Sequence, residues 1–421
     1  MWVVALVACA GFLWWMRGMD WWQRFFTIAL LLLIGAMSRL DAIFVFTDYG
    51  RFAGVALLLA ATLVGAHRFQ SVRLTTPKRW LLTGLYGTLI LAAASVLWSV
   101  SPGESLRQLA VFAMLPIIIH SLMKYRWAEP NNVRADLRVA VHVLTVVFVA
   151  GLALQYSGIL PAPGVRHYGI FANPNSVAAI GALGFFLAWA VFAEKPSPWR
   201  AAPVIIALSC VILSESRTSF LAIAAGALFI AFRSTLTVRL GAAYASLVAA
   251  ILLVWTGINP LQSVIDRFSP EGGDLLSTRD IAWTTAIDLT NAQPLGYGWR
   301  AGEVVFAKLY EQGGFSFLAE SVHNSYLQYL LELGWLGILP LTILVVTVLA
   351  LAYTAPRTGF GSGLAGLMVA GLVVKVAESV MFGMGSAYPY LFWFAVAAAA
   401  CMSAPVGVEP RAKKRQLAIR H

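Results

Sequence analysis

His323 and four arginines, Arg217, Arg267, Arg279 and Arg300, are the side chains best suited to chemistry on an anion. An imidazole titrates near neutrality, where a general base works best. A guanidinium keeps its charge and forks onto phosphate oxygens in a geometry that lysine cannot present. Together they suit a reaction in which a diphosphate leaves: the arginines neutralise the developing charge and the imidazole takes a proton. The loop holds no Asp-x-Asp pair and the chain no histidine cluster, which favours arginines over a metal ion for that task. Each residue also has a structural reading. The histidine can be a hydrogen-bonded packing residue, and the arginines can form ion pairs such as Asp266–Arg267 or Arg279–Asp280. No Walker A sequence, dinucleotide glycine pattern or His-Glu-x-x-His occurs, so no cofactor is expected.

Local patterns say how these residues are held. Residues 258–322 form the one long polar stretch of the chain. Within it, Ser277-Thr278-Arg279-Asp280 reads as a helix start, and the helix is expected to close near Asn291, before a turn at Pro294 and Gly296-Tyr297-Gly298. Arg279 then falls in the first turn, where helix dipoles prefer acids; a bound anion would account for it. A second helix is expected from about Ser321 to Leu333, with His323 and Asn324 in its first turn and Gly334 and Gly337 after it. That placement favours the neutral, proton-accepting imidazole. Arg217 opens a short apolar segment after Ser214-Glu215-Ser216, and its depth marks it as functional or as a paired structural arginine. Arg166-His167, followed by Asn173-Pro174-Asn175, forms another polar group on the same face. Asn175 is expected to cap the next span, and Arg166 and His167 are candidates to touch a sugar or phosphate.

The framework is a membrane one. Of 421 residues, 60% are hydrophobic and 12% charged, about half the charged share of soluble domains. Apolar runs near 25–46, 49–66, 79–98, 106–123, 137–160, 173–193, 200–214, 217–232, 239–257, 335–354, 361–382 and 387–403 predict an all-α protein with about twelve transmembrane helices. Residues 2–16 are apolar but short, either a further span or an interfacial helix, and lack a cleavage site. The expected organisation is a bundle over 1–257, a site-bearing loop over 258–334, further spans over 335–403 and a basic cytoplasmic tail over 404–421. The net charge of +11 lies in short basic connections, which mark the cytoplasmic side, whereas the long loop is acidic in balance and belongs on the other. Nucleic acid is not an expected partner. Cys9, Cys210 and Cys401 lie in apolar segments and read as small buried hydrophobes.

Three blocks resemble the O-antigen ligase (WaaL) family, within the wider group of O-antigen ligases and polymerases. They are Ser216-Arg217-Thr218-Ser219; the stretch from Ser277 to Gly298 with Arg279, Trp283, Pro294, Gly296 and Gly298; and His323-Asn324 followed after nine residues by Gly334-x-x-Gly337. The resemblance implies a GT-C-like, metal- and ATP-independent glycosyltransferase of the bacterial inner membrane, with its active site facing the periplasm. Its donor would be O-antigen polysaccharide on undecaprenyl diphosphate and its acceptor a sugar hydroxyl of lipid A–core. His323 would be the general base, and Arg217, Arg279 and Arg267 would hold the diphosphate. Arg300, Asn324, Arg166 and His167 rank lower, as possible substrate contacts. The alternatives are an O-antigen polymerase, a protein O-oligosaccharyltransferase or a lipid-linked glycan transporter. A transporter would place charges at the membrane midplane between repeated halves, whereas here they gather at one face.

Overall fold

The computed structural model describes residues 15–38, 47–66, 71–160, 166–234, 279–311, 322–357, 359–383 and 386–403. Among them the chain is helical. The helices of the N-terminal part are α1 (Trp21–Gly35), α2 (Thr47–Ala66), α3 (Thr76–Ser95), α4 (Pro102–Lys124), α5 (Pro130–Tyr156), α6 (Pro174–Glu194), α7 (Pro198–Ser214) and α8 (Arg217–Arg233). Then come α9 (Arg279–Ala292), α10 (Gly302–Glu311), α11 (Ser325–Leu333), α12 (Ile338–Thr354), α13 (Phe360–Ala377) and α14 (Ala387–Met402).

Among the described residues, seven helices are long and apolar enough to cross a membrane: α2 to α6, α12 with its lead-in turn, and α13. Helices α1, α7 and α14 are apolar but shorter. The protein is therefore a polytopic helical membrane protein. The expected span at 239–257 and residues 2–14 of the apolar segment 2–16 lie outside the described residues, as do Arg267 and Cys9. Two expected boundaries are corrected. The first span, read as 25–46, is a helix over Trp21–Gly35 that Asp20 opens with a capping box to Gln23. The span read as 361–382 stops at Ala377. Ser325 explains the early stop: its hydroxyl donates to the Glu378 carbonyl at 2.6 Å and accepts from the amides of Val380 and Met381 at 2.9 and 3.0 Å. Backbone groups that would continue the helix are bound sideways instead.

Helix α14 is the axis of the bundle. All of residues 387–400 are buried, and it touches α1, α3, α4, α5, α6, α12 and α13. A helix that is apolar all round belongs inside. The alanines at 395 and 397–400 let neighbouring backbones approach closely. Cys210 is buried and Cys401 half-buried, and both are free thiols.

The two ends of the bundle differ. At one, Arg126 is held by Asp136 through two contacts of 2.7 and 2.6 Å and by Asp20 at 2.9 Å. The indoles of Trp22 and Trp127 also donate to Asp136, at 3.0 and 2.9 Å. This network ties α1 to α5. Asp136→Ala leaves a buried guanidinium without its principal partner, and is expected to cost about 3–5 kcal/mol. Detergent thermal unfolding should show a large drop in midpoint; an unchanged midpoint would show that the network contributes little.

At the other end, α9, α10 and α11 form a small core of their own from Ala282, Ala286, Phe306, Val322 and Leu331, with Trp283 and Tyr297 packed against it. This loop end also holds the C-terminal ends of α7 and α13 and the start of α8, tied together by the contacts described next.

Candidate functional site

The two glycine-bearing motifs of the sequence are halves of one joint. The amides of Tyr297 and Gly298 donate to the carbonyls of Leu331 and Glu332, each at 2.9 Å, and Trp335 N donates to Pro294 O at 2.9 Å. The turn after α9 thus lies against the end of α11, backbone to backbone. Gly296 and Gly334 make this possible. Both have left-handed φ, +76° and +64°, and a Cβ on Gly334 would lie 2.1 Å from the Pro294 carbonyl oxygen. The joint couples the helix that begins with Arg279 to the helix that follows His323. Gly334→Ala adds both backbone strain and a clash. It should destabilise by more than about 1 kcal/mol and reduce any activity in parallel, as checked by thermal unfolding and assay of the same preparation.

The same turn is anchored to the membrane bundle. Trp299 is buried, its N–H donates to Ser95 Oγ at 2.9 Å, and its carbonyl accepts from Ser105 Oγ at 2.6 Å. Its ring lies against Phe112 and Phe382. A soluble-looking loop is thereby seated on α3, α4 and the 378–383 connection.

His323 does not lie in the first turn of α11, as the sequence predicts. The helix begins at Ser325, and Asn324 is its N-cap: Asn324 Oδ1 accepts from Tyr326 N at 2.9 Å and Leu327 N at 3.1 Å. Asparagine outcompetes the upstream residues for that place because its side chain reaches the free amides. His323 is pushed one position outside the helix, half-buried, with φ 49°. Glu215 and Arg300 are the other non-glycine residues with positive φ among the described residues. One of the three precedes Ser216-Arg217 and the other two are themselves candidate site residues. Such backbone costs on the order of 1–3 kcal/mol and persists where surroundings over-determine it, commonly at functional sites.

Arg279 opens α9 and pairs with Glu378 across the loop end, Nη2 to Oε1 at 3.2 Å, rather than with Asp280. Both side chains are mostly enclosed, 21% and 17% exposed. Burial pushes the Glu378 carboxyl up to about 7, against the pull of Arg279 and Arg166. Arg166 comes from the turn before α6. Its Nε donates to the Ser214 carbonyl at 2.8 Å and its Nη2 to Asn175 Oδ1 at 2.9 Å. Ser214 ends α7, so Arg166 holds the tight turn that presents Arg217 at the start of α8. Asn173, not Asn175, caps α6 by accepting from Asn175 N at 2.8 Å, because Pro174 takes the first helical position; the Asn175 side chain is left to hold Arg166.

Of the predicted residues, then, Arg279 pairs with Glu378, Arg166 acts on the same carboxyl electrostatically, and the Glu378 backbone carbonyl accepts from Ser325, the residue after His323-Asn324. The turn bearing Arg217 is fastened to the same group. His167 is placed differently. It is buried and stacked on Tyr156, 6.0 Å between centroids and 4° between planes. Arg300 pairs with Glu303. It lines a polar cavity of about 490 Å³ with Arg51, Glu104, Arg107, Gln108 and Asn173. Arg300 also borders a narrow cleft containing Ser325 and Glu332. Glu332 is buried; it accepts from Gln328 at 2.8 Å, and burial pushes its carboxyl up to about 7.

Glu378 and Lys375 escaped the sequence reading because they lie in what reads as an apolar span. Two charges three residues apart in such a run are themselves a signal. Lys375 is wholly buried, its ammonium 3.0 Å from the Phe392 ring centroid.

Residues 202–342 match the family model described as O-Antigen ligase. That stretch contains Arg217, Arg267, Arg279, Arg300, His323 and Asn324, but not Arg166 or Glu378. The exopolysaccharide production protein ExoQ of Rhizobium meliloti (strain 1021) is 24% identical over 290 residues, covering 62% of this chain and 63% of that protein.

Proposed function

We propose, from the match of residues 202–342 to the O-antigen ligase family model and the likeness to ExoQ, that the chain is an O-antigen ligase or polymerase family glycosyltransferase of the bacterial inner membrane. In this reading it has a GT-C-like bundle of about twelve spans and a site on residues 258–334 and their neighbours that faces the periplasm. It transfers O-antigen polysaccharide from undecaprenyl diphosphate to a sugar hydroxyl of lipid A–core, without metal or ATP. The imidazole of His323 takes the proton of the acceptor hydroxyl as its oxygen attacks the anomeric carbon of the donor. The bond from that carbon to the diphosphate oxygen breaks, and the leaving diphosphate is neutralised by Arg279 and Arg217, with Arg267 as a third ligand. The carrying observation is that Arg279 and the start of α11 are both bound to Glu378, with the charge of Arg166 acting on the same carboxyl. The polar cavity beside Arg300 offers room for acceptor sugars.

A second reading follows from the relative named for exopolysaccharide production: the acceptor is then another polysaccharide chain. Purified protein given a polyprenyl-diphosphate glycan, chelator and no ATP should extend lipid A–core. Transfer only to a second lipid-linked glycan would select the polymerase reading. Transfer to neither acceptor would overturn both.

A further inference from the structure

Glu378 is an acid placed where the proposed reaction needs cations. A diphosphate approaching Arg279 meets a carboxylate already bound to that guanidinium at 3.2 Å. Like charges so close repel strongly in a poorly solvated site. The two anions therefore share Arg279 only if one of them gives way or is neutralised. Glu378 can give way without disturbing the fold. Its backbone is fixed by the Ser325 hydroxyl on its carbonyl, and the next residues but one, Val380 and Met381, are fixed by the same hydroxyl. Among the described residues, the side chain beyond that anchor is held by its ion pair with Arg279.

We propose that the Glu378 carboxylate is a resident competitor for Arg279, and that donor binding exchanges it for the diphosphate. This rests on the donor reading above and names a regulation of the same site. While Glu378 is charged, the exchange gives the enclosed guanidinium one anionic partner in place of another. It also makes donor binding depend on the charge of Glu378. The groups that face it are Arg279 from α9 and Arg166 from the turn before α6, both cations, with the Tyr388 phenol of α14 within electrostatic reach.

The sign follows from the raised carboxyl. An ordinary glutamate is fully charged at pH 6; this one titrates near 7. Below that pH it is largely neutral and releases Arg279; above it, it is charged and competes. If only the neutral form admits the donor, apparent affinity scales with its fraction and falls about tenfold from pH 6 to pH 8.

The test is binding of a short-chain polyprenyl-diphosphate disaccharide to the purified full chain at both pH values. Its diphosphate is a diester and keeps its charge across this range, so a pH effect belongs to the protein. Wild type should bind about tenfold more weakly at pH 8. Glu378→Gln should bind more tightly than wild type at pH 8, with nearly equal affinity at the two pH values. Glu378→Asp, whose shorter stem draws the charge back from Arg279, provides a check if the glutamine variant does not fold; it too should bind more tightly at pH 8. A variant that binds more weakly at both pH values, or that keeps the wild-type ratio, overturns the inference and makes Glu378 a fixed clamp for Arg279. Binding by wild type without any pH dependence overturns the inference alone. No binding by wild type overturns the donor reading and the inference together.

Discussion

His323→Ala is expected to lower the rate of glycan transfer by about a hundred- to ten-thousand-fold, the usual range for loss of a positioned general base. The imidazole sits one residue before the Asn324 cap, outside the helix, in backbone that histidine adopts at a cost. That cost is informative. A packing histidine has no reason to be held at φ 49°, whereas a side chain that must be aimed does. His323→Gly separates the two roles. Glycine relieves the left-handed strain, so that variant should be as stable as wild type or more so, by about 1 kcal/mol, and still fail to transfer. Single-turnover transfer and thermal unfolding on the same protein check this. An active glycine variant would remove the imidazole from the chemistry.

Arg279→Lys is expected to lower kcat/KM for the donor by about a hundred- to a thousand-fold, comparable to loss of one oxyanion donor. Lysine keeps the charge but offers a point rather than a fork, and its ammonium binds water more tightly. The nearby carboxylate of Glu378 sharpens the effect, since a weaker cation competes less well for the diphosphate. Arg300→Lys is the internal control. Arg300 is paired with Glu303 and lines the polar cavity rather than pairing with Glu378, so the change should alter donor kinetics by less than about tenfold. Equal effects at Arg279 and Arg300 would show that diphosphate binding is spread over the whole basic surface.

Sequence patterns carried much of this arrangement and missed its centre. Arg279 at a helix start, the closing of that helix by Pro294 and Gly296, and the short hairpin before Arg217 were all legible, because caps, prolines and glycines report local backbone. The helix after His323 starts at Ser325 rather than near Ser321, since several polar residues in a row compete for one cap and only geometry shows that Asn324 wins. His167 looked like a ligand because a lone histidine next to an arginine gives no hint of a tyrosine stacked on it from α5. Glu378 was invisible for a different reason. Its meaning depends on Arg279, 99 residues away, and on a hydroxyl of Ser325, 53 residues away. Hydropathy folds such a residue into the nearest apolar run. The pairing of Gly296 with Gly334 was likewise hidden, though each glycine was read correctly as a breaker.

The most direct measurement is donor affinity in Arg279→Ala and His323→Ala, taken side by side with transfer rate. Arg279→Ala should bind a polyprenyl-diphosphate glycan about ten- to a hundredfold more weakly, the worth of a charge-assisted hydrogen bond. His323→Ala should bind it within about twofold of wild type, yet be unable to turn it over. Wild-type affinity in the arginine variant, or wild-type transfer by the histidine variant, would contradict a site in which guanidinium groups hold the diphosphate and one imidazole takes the proton.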